Sequence, residues 1–167
     1  IANETGINAG LSEATATSLA TFAVSAFSLC NGAGRLLTGI FYDKIGRRRT
    51  MLTVSVISIV GIASITLAYI FYLPYLFIVG AAVLAISYGG MATTSPAVVA
   101  EFFGNKYYSL NFAVLNSSCI ASAILGPTVI GAMYAAGSGS YTVSLIVMCA
   151  YCVLGLIGSL FIRKPEK

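Results

Sequence analysis

Histidine is missing from this sequence and charge is scarce: nine basic and five acidic side chains make up 8% of its 167 residues. Without histidine there is no His-containing metal set, and no two carboxylates are paired as acid and base catalysts would be. No loop has the form that cradles a phosphate. An enzyme is therefore not expected, nor a metal, nor a cofactor. Nothing in residues 1–13 resembles a signal peptide, since they are polar, lack a basic n-region and do not begin with methionine. The expectation is a piece of a longer protein. Cysteines are few, and Cys30, Cys119, Cys149 and Cys152 all fall in apolar runs. Cys149 and Cys152 have redox or zinc spacing, but no second pair, histidine or βαβ context accompanies them. Packing is their expected role.

Apolar side chains are abundant, at 58% of the sequence with a mean hydropathy of +0.93. No charged residue occurs over 50–100 or over 107–162. Because about 20 apolar residues cross a bilayer core about 30 Å thick, each stretch has room for two spans and a tight turn. A third apolar run covers 14–34. The runs lack the alternation of barrel strands, so an all-α integral membrane protein with five transmembrane helices is expected.

Punctuation residues place the expected helices at 14–42, 50–71, 75–103, 107–136 and 141–162. Ser12 precedes the first as a cap. Asp43 to Arg49 interrupts the apolar pattern, Pro74 stops the second helix, and Gly104-Asn105-Lys106 is a turn. Pro96 lies inside the third helix, and Gly126-Pro127 marks a kink in the fourth. Charge tests this division, because cytoplasmic loops carry excess lysine and arginine. Segment 43–49, the Lys106 turn and the tail 163–167 fall on one side and hold eight of the nine basic residues. The opposite side, with 1–13 as an outer loop, holds none. A multi-pass protein of the inner (plasma) membrane with a cytoplasmic C-terminus follows as the expectation. The net charge of +4 sits in loops and tail, which suits anionic headgroups of the lipid bilayer and implies no nucleic-acid partner.

Between the first two spans the sequence reads Gly39-Ile40-Phe41-Tyr42-Asp43-Lys44-Ile45-Gly46-Arg47-Arg48-Arg49. Gly39 admits a neighbouring helix, Gly46 permits a left-handed turn, and Asp43 suits the positive end of another helix. The arginines suit lipid phosphate or a carboxylate. The plainer reading is an anchor loop obeying the charge rule. This segment resembles, position by position, the G-x-x-x-D-[RK]-x-G-[RK]-[RK]-[RK] loop of the major facilitator superfamily. The resemblance implies a charge relay in which Asp43, Arg47 and Arg48 work with an acidic helix end, the place held here by Glu101. These would be gating residues. It also implies a partial six-helix half, the C-terminal one, holding the eighth to twelfth helices. The helix that Asp43 caps would lie in the missing N-terminal half of the same transporter.

Arg35 stands eight residues before Asp43, about 12 Å deeper along a helix. Placing arginine at the centre of a span costs about 2.5 to 3.5 kcal/mol, so it must face water, an anion or a partner. Thr21, Ser28, Asn31, Arg35, Thr38 and Tyr42 recur at helical spacing as one polar stripe, with Gly32 and Gly34 beside it. Anion binding and snorkelling or structural pairing are both open to Arg35. Asn31-Gly-Ala-Gly-Arg35, Tyr88-Gly-Gly-Met-Ala-Thr-Thr-Ser-Pro96 and Glu101-Phe-Phe-Gly-Asn-Lys106 resemble the oxalate/formate antiporter family and its monocarboxylate-transporter relatives. That resemblance implies that Arg35 contacts a small carboxylate anion, as a guanidinium fork is suited to do. Two departures matter. Asn31 stands where monocarboxylate transporters often carry aspartate, and Cys119 stands where oxalate carriers add a lysine. A monocarboxylate is therefore preferred, with Ser28, Asn31, Tyr88, Ser118 and Cys119 as further candidate ligands. For Tyr88, Ser95, Asn116 and Ser118 the competing role is hydrogen bonding between helices. A sugar or drug carrier with the same loop and a non-transporting membrane module are the alternative functions.

Overall fold

The computed structural model describes residues 1–137 and 139–161, which form a bundle of α-helices with no strand among the described residues. The order is α1 (Ala2–Asn8), α2 (Glu13–Ile45), α3 (Arg47–Ile70), α4 (Pro74–Phe103), α5 (Tyr108–Ala136) and α6 (Thr142–Phe161), with a 3-10 turn at Asn105–Tyr107 before α5. The expected tail 163–167 lies outside the described residues.

Local chemistry explains the helix ends. Ser12 caps α2, its hydroxyl accepting from the Thr15 N–H at 3.3 Å. Pro74 opens α4, where its missing N–H costs nothing. Gly46 and Gly104 close α2 and α4 with φ of +78° and +67° and ψ of 166° and 177°, a region open essentially to glycine alone. Two expectations need correction. Segment 1–13 is not simply a loop, because α1 forms within it and packs Gly6 against Ala16 of α2. Segment 43–49 is barely a loop either. Gly46 alone separates α2 from α3, donating to Tyr42 O at 3.1 Å and accepting from the Thr50 N–H at 3.2 Å. The turn is extended rather than left-handed α, and Arg47 to Arg49 occupy the first turn of α3.

Four helices are long and apolar enough to cross a membrane: α3, α4, α5 with its preceding turn, and α6. The fifth expected span, α2, is the longest at 33 residues but falls outside that set. Its polar stripe is the physical reason. Packing centres on α4, which runs along both α2 and α3, while α3 also meets α6. Glycines make the approach possible. A Cβ added at Gly34 would lie 2.8 Å from Ile86 Cα, and one at Gly61 would lie 2.8 Å from the Leu84 nitrogen. Ser87 of α4 donates to Val54 O at 2.9 Å and pairs with Ser58, tying α3 to α4. At the far end Ile62, Ile65, Tyr69, Ala81 and Leu145 form the apolar core. There the Tyr69 hydroxyl accepts from the Tyr141 N–H at 3.2 Å.

Candidate functional site

The candidate side chains lie at two levels along α2. At the shallower one, where α2 ends at Gly46 and α4 at Gly104, Glu101 receives side chains from two other helices. The Tyr42 hydroxyl donates to Glu101 Oε2 at 3.0 Å. Arg47 Nη1 stands 3.4 Å from Glu101 Oε1, and the Arg47 guanidinium carbon lies 4.6 Å from the centre of the Phe102 ring. The arginine contact is an ion pair without hydrogen-bond geometry, since buried Nη1 donates no hydrogen bond to a described residue. With side chains only 11% and 31% exposed, the two charges attract more strongly than in open water. That attraction and the ring contact offset the cost of a cation at the positive end of α3.

The structure thus brings Arg47 and Glu101 together. Asp43 and Arg48 are exposed and make no ion pair with a described residue. A methyl at Gly39 would meet Thr93 Cγ2 at an ordinary 3.9 Å, so Gly39 is not where these helices approach most closely. Gly34, Gly61, Gly80, Gly89 and Gly90 fill that role. Sequence reasoning did not assign Tyr42 and Phe102 to this cluster. Their positions beside Asp43 and Glu101 were the available signal.

At the deeper level, Arg35 is exposed, and its guanidinium makes no ion pair or hydrogen bond with a described residue. Its backbone lies close against α4. The Thr93 hydroxyl shares its one proton between Gly89 O at 3.2 Å and Arg35 O at 3.4 Å, and a Cβ at Gly89 would lie 3.0 Å from Arg35 N and 2.9 Å from Asn31 Oδ1. Asn31 Oδ1 is buried there and accepts no hydrogen bond from a described residue. The polar stripe of α2 is therefore split. Asn31 and Thr38 face α4 and Tyr42 reaches Glu101, whereas the hydroxyls of Thr21 and Ser28 donate within their own helix.

Between α4 and α5 lies a cavity of about 280 Å³ lined by Tyr88, Met91, Ala92, Ser95, Phe112, Leu115, Asn116 and Cys119. Tyr88, Ser95, Asn116 and Cys119 are gathered here; Ser118 instead lines a separate groove between α5 and α6. Tyr88 and Ala92 directly precede Gly89 and Thr93, so the cavity and Arg35 flank the same two turns of α4. The Ser95 hydroxyl gives its proton to Met91 O at 2.8 Å and is thereby spent as a donor. The Tyr88 hydroxyl and the Asn116 amide make no hydrogen bond to a described residue and keep theirs.

Comparison with known proteins supplies the wider setting. The family profile described as Major Facilitator Superfamily matches residues 1–167. The "Uncharacterized MFS-type transporter YhjX" of Escherichia coli (strain K12) is 38% identical over 93 residues, or 56% of this chain. The matched stretch covers only 23% of that relative's length.

Proposed function

Because the chain belongs to the Major Facilitator Superfamily, we propose that it forms part of a secondary active transporter that moves small carboxylate anions by alternating access, with Arg35 as the carboxylate ligand. The observation that carries this reading is Arg35 itself, exposed and without an ion pair to a described residue well inside α2, on a helix that packs against α4, whose other side lines a cavity that still offers two donor side chains, Tyr88 and Asn116. One fixed cation matches a monoanion. Two parallel hydrogen bonds from its fork set the orientation of the carboxylate. The site is completed by the N-terminal half of the same transporter, substrate being held near the midplane between halves. In this reading α2 crosses the inner (plasma) membrane with the other four long helices, and its end at Gly46 is cytoplasmic.

The Glu101 cluster then acts as the gate of this half. Arg47, Tyr42 and Glu101 hold α2, α3 and α4 together, while exposed Asp43 and Arg48 wait for a helix end or carboxylate of the other half. Gly39, with only ordinary contacts here, leaves room for that helix. Uptake of labelled formate, lactate and oxalate by the full-length protein in proteoliposomes tests both ideas. Arg35→Ala is expected to cut monocarboxylate uptake about tenfold or more, the size of a lost charged hydrogen bond; undiminished uptake removes the substrate assignment. Asp43→Asn is expected to slow turnover more than it weakens binding. Equal loss of both removes the gating role.

A further inference from the structure

Cys149 and Cys152 take no part in either level of the candidate site. Where α6 passes α3 and α4 there are two adjoining cavities of about 310 and 240 Å³, with Ser55, Met91 and Gly155 in the walls of both. Met51 lines the larger and Cys152 the smaller. Ten residues line the pair and three of them carry sulfur, where the whole sequence has eight such residues in 167, so sulfur is concentrated here severalfold. The walls contain no carboxylate and no histidine. Hydroxyls beside the sulfurs give their protons to the backbone: Ser55 to Met51 O at 2.9 Å, Thr94 to Gly90 O at 3.1 Å and Ser159 to Leu156 O at 2.7 Å. The two thiols differ. The Thr66 hydroxyl spends its one proton on Ile62 O at 2.8 Å, so in its 3.5 Å contact with Cys149 Sγ the thiol is the donor. Cys152 makes no hydrogen bond to a described residue and lines its cavity together with Met91.

We propose that this cleft binds one soft monovalent metal ion, Cu(I), with the Cys152 thiolate and the Met91 thioether as ligands and Met51 as the neighbouring thioether. Thiolate and thioether sulfur select Cu(I), whereas Mg²⁺, Ca²⁺ and Mn²⁺ want the carboxylates and carbonyls that these walls lack. A structural zinc site needs four nitrogen or sulfur ligands around a tetrahedron, more than the cleft brings together. Charge points the same way. As Cu(I) binds, the Cys152 S–H bond breaks, an S–Cu bond forms and the proton leaves to water, with no electron transferred. One positive charge replaces another, so the cleft gains none. A divalent ion on the same ligands would leave a net positive charge among apolar helices, at high cost. Cys149 keeps its proton for Thr66 and stays a neighbour rather than a ligand. Met91 and Cys152 stand on α4 and α6, which scarcely touch each other directly, so a shared ion ties these two helices together.

The test is anaerobic titration of the full-length protein in nanodiscs against the Cu(I) complex of bicinchoninate, whose colour fades as the metal is withdrawn. The wild type is expected to withdraw a single equivalent per protomer, and X-ray absorption of the product to show sulfur neighbours alone. Cys152→Ser is expected to weaken binding about a hundredfold or more and Met91→Leu about tenfold, while Cys149→Ser stays within about threefold of wild type. Bound Cu(I) should also raise the thermal midpoint of the wild type and leave that of Cys152→Ser where it was. No withdrawal of Cu(I) by the wild type overturns the proposal. So does undiminished affinity in Cys152→Ser, which would move the metal to Cys30 or Cys119, and so does a loss in Cys149→Ser as large as that in Cys152→Ser, which would make the two thiols the ligands. Where Cys152→Ser does not fold, the volume-conserving Met91→Leu decides, and unchanged affinity there overturns the site.

Discussion

α4 and α5 are close to twins on paper. They have 30 and 29 residues, one internal proline each and charge only at or beyond their ends, yet α4 buries eight residues and α5 none. In α4, Gly80, Gly89 and Gly90 lie against Ile65, Asn31 and Thr38, whereas Gly126 and Gly131 of α5 face open space. Lipid tails are as apolar as leucine, so apolarity alone puts a helix into a bilayer without packing it. What distinguishes α4 is a groove with small residues at the points of approach. By this logic α5 is held in the bundle by little more than its apolarity, with no such groove against the described residues.

That contrast is open to direct attack in the full-length protein. Gly61→Val carries the largest expected effect, because the new side chain would start 2.8 Å from the Leu84 backbone nitrogen, and the backbone has nowhere to go. Overpacking of this kind costs about 1–3 kcal/mol, read as a lowered midpoint in denaturant or heat. A wild-type midpoint would mean that α3 and α4 are not in close contact. Ser87→Ala comes next. It removes the bonds to Val54 O and Ser58 and should cost about 0.6 to 1.7 kcal/mol, the range for hydrogen bonds between membrane helices. Gly131→Ala should change stability by less than about 1 kcal/mol, and in the favourable direction, since nothing lies within 4 Å and alanine is the better helix former. A large loss there would locate a helix from outside these residues against α5, and so sharpen the comparison.

Much of this architecture was legible in the sequence. The long charge-free runs announced spans, Pro74 and Gly104 marked ends, and the Gly39 to Arg49 segment pointed to the superfamily that the whole chain matches. Less was legible at the site. Ser118 and Cys119 are adjacent in sequence, yet one lines the groove toward α6 and the other the cavity toward α4. Tyr42 read as one more member of a polar stripe, and only its hydrogen bond to Glu101 shows it joining α2 to α4.

Hydropathy and charge are properties of the chain read along its length, so the sequence alone determined that this protein lives in a membrane as helices and where those helices turn. Rotation about each helix axis is another matter. α3, α4 and α5 are apolar nearly all round, and a helix without a polar face carries no periodic signal of which side meets which neighbour. Tertiary structure decided that, through glycines that allow backbones to touch and hydroxyls that find partners dozens of residues away.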